Sequence, residues 1–442
     1  MVIQLSDHFE YKRLLQFAFP SVIMMVFTSI YSVVDGFFVS NFVGKTPFAA
    51  VNFIMPVLMI LGSIGFMFGS GGSALVSKTL GEGKQERARQ LFSLFVYSTI
   101  VCGVVLAVVS FFFLRPLAVM IGAEGQMLEQ CVLYGRILLL ALPFFMLQFE
   151  FESFFVAAEK PQLGLAVTIV CGLTNMVLDA LFIVVFSWGL VGAAAATVIS
   201  QIIGGVIPVV YFSRPHTSVL WLTKTNLNWK ALRRACINGS SELMSNISIS
   251  VISMLYNFQL LKYAGENGVA AYGVLMYVNM IFLAVFIGYS TGTAPVVSYH
   301  YGAGNHGELR GLLRKSSVII GIFAVMMFVL AEILAGTLAK IFVSYDAELM
   351  AMTQRAFMIY SFSFLFSGIA IYGSSFFTAL NDGLTSALIS FLRSLVFEVA
   401  AILILPLIFK LDGIWLSVVV AELAAASMTI LFLAAKRNAY HY

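Results

Sequence analysis

Apolar runs separated by short polar breaks fill this chain almost from end to end. A helix needs about 20 apolar residues to cross a bilayer. On that length the runs predict spans at about 14–39, 48–77, 90–113, 130–158, 163–186 and 190–212, then, past a polar break, at 235–261, 269–299, 316–343, 350–380, 385–409 and 413–435. The expected fold is all-α, an integral membrane protein of twelve transmembrane helices. Several runs exceed the crossing length, which implies tilted or kinked helices. The polar start MVIQLSDHFEYKR passes straight into the first run with no small-residue cleavage pattern, so the first helix is expected to stay as an anchor.

The pattern also repeats. Laying 69–92 on 290–313 without gaps pairs Gly71 with Gly292, Val76 with Val297, Ser77 with Ser298, Gly81 with Gly302, Gly83 with Gly304, Arg89 with Arg310 and Leu91 with Leu312. Each stretch ends the second span of its half and enters a basic loop. The segment FVAAEKP at 155–161 likewise falls opposite FTALNDG at 377–383, each joining the fourth and fifth spans of its half. Six spans followed by six in the same orientation form a parallel repeat, whose usual consequence is two bundles around a central cavity. The expected division is an amino-terminal lobe over 1–212, a cytoplasmic linker over 213–230 that contains Pro215 and several basic residues, and a pseudo-symmetric carboxy-terminal lobe over 231–442.

Composition agrees with a bilayer protein. The chain is 60% hydrophobic and only 10% charged, against about 25% charged in a soluble domain. The net charge of +4 carries no basic run with interleaved aromatics, so nucleic acid is not an expected partner. The charges set topology instead. Seventeen lysines and arginines fall in the segments on one side of the spans and seven on the other, which predicts both termini in the cytoplasm. Cys102, Cys131, Cys171 and Cys236 lie far apart in or beside apolar runs and read as small buried residues. His8, His216, His300, His306 and His441 fall in polar segments or at the termini without a ligand cluster, so no resident metal is expected.

Topology then gives each intramembrane polar group a depth. Asp35 lies near the outer end of span one. Span five carries Asn175 and Asp179 at i and i+4 on one face, and span six carries Thr197 at a similar distance from the outer surface. At 1.5 Å per residue the four groups share roughly one level. An acid inside a span costs about 2.5–3.5 kcal/mol at the centre, so a pair at matched depth points to function. Two carboxylates, an amide oxygen and a hydroxyl suit either a proton or a sodium ion. The alternative is that Asn175 and Asp179 join helices while Asp35 faces water. Glu150 and Glu152, near the inner end of span four, are expected to reach headgroup water. Glu332, Glu398 and Glu422 also lie in spans, where Arg393 is available to pair with one of them.

Four stretches carry a resemblance over nearly the whole length: VDGFFVSNFVG with Pro20 ahead of it, the glycine-basic turn at 81–89, GLTNMVLD ending at Asp179, and GLVGAAAATVIS ending at Ser200. Together they resemble the multidrug and toxic compound extrusion family. The resemblance implies two six-helix lobes in a V around a central cavity, exporting small cationic or amphiphilic compounds by antiport with protons or sodium ions. It implies an amino-lobe cation site at Asp35, Asn175, Asp179 and Thr197, a helix hinge at Pro20, and a carboxy-lobe substrate or ion contact at Glu242. Span ten lacks the carboxylate that some members of the family place there. No catalytic residue and no cofactor other than the coupling ion follow from it. The implied setting is the bacterial inner membrane, with lipid as the surroundings and a monomer as the assembly.

Other classes fit less well. An ATP-driven pump needs a phosphate loop, and GEGKQ at 81–85 lacks the GxxxxGK[ST] pattern. An intramembrane prenyl transferase needs aspartate-rich motifs that this sequence does not have. A lipid-linked oligosaccharide flippase of related fold is the strongest rival, but its diphosphate cargo calls for a cationic cavity where this chain places acids.

Overall fold

The computed structural model describes residues 3–120, 122–214, 218–343 and 346–442. Pro215 and His216, named above, lie outside the described residues. The helices in order are α1 (Tyr11–Phe38), α2 (Lys45–Gly81), α3 (Gln85–Met120), α4 (Gly125–Leu140), α5 (Leu142–Ala157), α6 (Pro161–Asp179), α7 (Gly189–Phe212), α8 (Trp229–Gly302), α9 (His306–Val343), α10 (Ala347–Tyr360), α11 (Phe364–Ala379), α12 (Gly383–Phe391) and α13 (Glu398–Tyr440). Three continue as π-helical turns: α1 through Val39–Val43, α6 through Ala180–Val185 and α12 through Leu392–Phe397.

The apolar runs become these helices for the expected reason, since a backbone in lipid must satisfy its own hydrogen bonds. Among the described residues nine helices are long and apolar enough to cross a bilayer, or up to ten if the bent pair α4–α5 counts as one span. That bend is 60° and falls at Ala141, just ahead of Pro143, which has no N–H to continue the ladder. Two of the counted helices, α8 and the continuous run from α12 into α13 (Gly383–Tyr440), each contain two predicted spans. α8 breaks at Gly265, with φ of 61°, and α13 at Lys410, with φ of 52°.

α3 shows how the faces divide. Val101, Val105, Val108 and Phe112 form an exposed apolar stripe at i+3/i+4 spacing, while Phe92, Phe95, Val96, Thr99 and Gly103 are buried on the other side. In water such a stripe would be an aggregation hazard, whereas hydrocarbon solvates it. The buried side meets an aromatic cluster in which Phe92 packs edge-on to Phe154 and Phe212, and Phe151 stacks on Phe212 at 5.6 Å.

The repeat read from the sequence has a structural counterpart. At the end of α2, Glu82, Gly83 and Lys84 donate their amides to the carbonyls of Lys78, Leu80 and Thr79; at the end of α8, Ala303, Gly304 and Asn305 donate to Tyr299, Tyr301 and His300 in the same pattern. The turn after α5 and the turn after α11 also match, with Glu159 and Asn381 both left-handed at φ of 61° and 60°. The paired glycines are crossing points. A Cβ on Gly81 would lie 2.0 Å from the Tyr299 carbonyl, and one on Gly302 would lie 2.0 Å from the Lys78 carbonyl. Gly71 packs against Ala235 on the first part of α8, while Gly292 packs against Ala18 on α1. Contacts between the two halves thus gather toward the basic-loop end. There Ser298 donates to the Ala74 carbonyl, His8 pairs with Glu308 at 2.6 Å, and the Lys315 ammonium donates to the Phe9 carbonyl.

Candidate functional site

α1 runs through Pro20 without a break and carries Asp35 in its last turn, just before its backbone widens at Val39. α6 likewise turns π-helical directly after Asp179. Single π-helical turns often mark functional positions, because the wider coil re-aims side chains. α1 packs along α6, and the Asp35 and Asp179 carboxyls face each other. Asp179 is fully buried, and Asn175, one turn earlier on the same face, is 2% exposed. Neither oxygen of Asp179 and one buried oxygen of Asp35 has a hydrogen-bond partner.

Thr197 on α7 donates its hydroxyl to the Ala193 carbonyl at 3.0 Å, leaving its oxygen free to accept. Tyr134 of α4, fully enclosed, faces Thr197 and both aspartates. The structure therefore brings Asp35, Asp179 and Thr197 around one tyrosine that the sequence reading passed over. Its signal was weak, since a lone tyrosine in an apolar run is most often core. Among the described residues no lysine or arginine pairs with either aspartate. The oxygens gathered here, with Asn175 one turn away, are those a proton or a small hard cation would use.

Glu242 stands apart from this group. It is half-buried on α8, one turn beyond Gly239, where the backbone crosses the Met67 carbonyl of α2. Arg393 does find a carboxylate. Its guanidinium holds Glu422 with three contacts of 2.7–3.0 Å, within a nest that includes Glu398, Tyr256 and Tyr360. Glu332 instead accepts from the Ser361 hydroxyl.

Glu150 and Glu152 correct the expectation of headgroup water. They are 0% and 4% exposed, and none of their four carboxyl oxygens has a hydrogen-bond partner. The 60° bend sends α5 into the bundle, among α2, α3 and α7, so nearly every side chain from Leu142 to Ala157 is covered. The readable signal was LPFFMLQFEFESFFVA itself, apolar all round and so without a water-facing side for its acids.

A protein-family model described as MatE matches the chain twice, at 20–181 and 243–404. The multidrug export protein MepA of Staphylococcus haemolyticus (strain JCSC1435) is 25% identical over 431 residues, covering 97% of this chain and 94% of the relative. Among solved structures, MATE in complex with MaL6 superposes with a TM-score of 0.93 at 20% identity, covering 98% of each chain. The outward-facing conformation of a multidrug resistance MATE family transporter of the MOP superfamily also gives 0.93, at 21% identity, over 98% of this chain and 97% of that one. Since the two family matches together span more than half of its length, the chain belongs to the MatE family.

Proposed function

We propose that this MatE-family membrane transporter exports small cationic or amphiphilic compounds by antiport with protons or sodium ions. The carrying observation is the meeting of half-buried Asp35 with fully buried Asp179 without a basic partner among the described residues. Such a site binds one positive charge well and two poorly. An ion entering from outside neutralises the pair and weakens its hold on a cationic substrate, and one inward charge per 100 mV supplies about 2.3 kcal/mol, or roughly fiftyfold accumulation.

In this reading the breaks at Gly265 and Lys410 separate spans, giving twelve, with lobes over 1–212 and 231–442 joined by a cytoplasmic linker over 213–230. The close glycine crossings at the basic-loop end support a V open to the outside. Pro20 supplies the position at which α1 bends during the cycle. The protein works as a monomer in a bacterial inner membrane with both termini cytoplasmic. The likeness to the multidrug export protein MepA supports multidrug cargo.

The test is ethidium transport in proteoliposomes with proton and sodium gradients imposed separately, wild type against Asp35→Asn. Gradient-driven movement lost in the variant supports the reading, and the effective gradient names the ion. Normal transport by Asp35→Asn, or no movement under either gradient, overturns it.

A further inference from the structure

Between α1, α5, α6 and α7 lies a small cavity lined by Met24, Gln148, Glu152, Thr168, Cys171 and Gly204. It leaves about 10 Å³ for a water's centre, room for about one water. Glu152 is 4% exposed, and neither carboxyl oxygen has a partner. A carboxyl so placed needs a proton or a cation as its companion. The titratable groups facing it are Tyr31 of α1 and Cys171 of α6, while α7 contributes Gly204 and Pro208. Among the described residues no basic side chain approaches it.

Tyr31 links this cavity to the acid pair. It lies one turn before Asp35 on α1, next to Gln148 and within electrostatic reach of Glu152 and Asp35. Its ring is held against Gly172 of α6, where a Cβ would come within 2.8 Å. Gly204 keeps the cavity open from the other side, since a Cβ there would lie 2.9 Å from Gln148 Oε1. Asp35, Tyr31 and the cavity therefore descend α1 in order toward the basic-loop end.

We propose that Glu152 is an inner proton-holding site, reached from Asp35 through Tyr31, where the coupling proton waits between uptake at the aspartate pair and release to the other side. The O–H bond at Asp35 breaks, the Tyr31 oxygen takes that proton while passing on its own, and an O–H bond forms at Glu152. A sodium ion would need several oxygens to converge in a space with room for about one water. A proton needs only one acceptor.

This inference rests on the antiport reading, and its test separates the two. Purified wild type, Glu152→Gln and Tyr31→Phe are compared by infrared spectroscopy of protonated carboxyl groups, by ethidium binding and by pH-gradient-driven ethidium transport in proteoliposomes. Glu152→Gln is expected to lose one protonated-carboxyl band, to bind ethidium about as wild type does, and to transport about a hundredfold more slowly, the scale of a positioned proton-transfer group. Tyr31→Phe is expected to keep the band and slow transport, which preserves the test if Glu152→Gln does not fold. An unchanged infrared spectrum or an unchanged transport pH profile in Glu152→Gln overturns the inference. So does a tenfold or greater loss of ethidium affinity, which would make Glu152 a substrate contact. If wild type moves ethidium under a sodium gradient but not under a pH gradient, the inference is overturned while the antiport reading stands; if it moves ethidium under neither, the antiport reading fails. The infrared comparison then decides by itself whether Glu152 holds the proton.

Discussion

Both halves of the molecule bury acids beside a π-helical turn, but they compensate them in opposite ways. In the amino-terminal half Asp35 and Asp179 face each other with no basic partner among the described residues. In the carboxy-terminal half the π-helical turn at Leu392–Phe397 carries Arg393, which clamps Glu422 with three hydrogen bonds beside Glu398. Taking charge out of water costs several kcal/mol per ion, and a well-formed pair offsets much of that cost. The clamped acid, Glu422, is therefore explained by structure alone. The unclamped ones are not, and this asymmetry is why we assign ion coupling to the first half.

The comparison breaks first on transport. Asp35→Asn and Asp179→Asn should each abolish the roughly fiftyfold accumulation that one inward charge per 100 mV supports, while leaving the thermal unfolding midpoint unchanged or higher. Dye accumulation and thermal unfolding on the same preparations decide it; a lowered midpoint with intact transport would reverse the assignment.

Arg393→Met should show the opposite profile. It leaves Glu422 buried and unpaired, at a cost of about 3–5 kcal/mol, read as a lower unfolding midpoint. The double variant Arg393→Met with Glu422→Leu should recover most of the loss. A single variant as stable as wild type would mean that the clamp is not what holds the acids there.

Smaller effects sharpen the symmetric part of the comparison, where the halves cross. Gly81→Val and Gly302→Val each force a side chain into an opposing carbonyl, and overpacking of this kind costs about 1–3 kcal/mol. Faster hydrogen exchange is expected at the basic-loop ends of α2 and α8, equally for the two variants; a response confined to one would deny their equivalence.

The smallest effect lies at Asp382, in the turn after α11. Burial raises its carboxyl, but hydrogen bonds from Lys436, at 2.6 Å, and from Thr385 outweigh this and hold it below its ordinary value. Because the folded value is depressed, the stabilisation is present in full above the unfolded value near 4 and fades as pH falls through the folded one. With Lys436 35% exposed, Asp382→Asn should cost about 1 kcal/mol or less at neutral pH and nothing at the acid end. A pH series of unfolding midpoints checks the sign.

Much of this architecture was legible before any coordinates. Most predicted spans fall on one helix or on a helix with its π-helical continuation, while 130–158 crosses the bend between α4 and α5 and 350–380 runs through α10 into α11; in lipid the length and apolarity of a run leave few alternatives to a helix. The matched turns at 81–84 and 302–305 were visible because glycine is needed twice over, for the left-handed Gly83 and Gly304 and for the crossings at Gly81 and Gly302. Asp35, Asn175, Asp179 and Thr197 could be given a common depth by counting residues. Tyr134, Tyr31 and Glu152 could not be found that way, since their significance lies in neighbours from other helices.

The sequence by itself determined the spans, the repeat and the presence of two acids at one level, all properties that follow from distance along a helix. Only the tertiary structure decided which acids are clamped and which are bare, and that α5 turns inward to bury Glu150 and Glu152. Lipid tails are as apolar as a helix bundle's interior, so hydrophobicity cannot say whether a face meets lipid or another helix. That choice is made by shape, through a bend at Ala141, glycines that let backbones touch and an arginine long enough to reach Glu422.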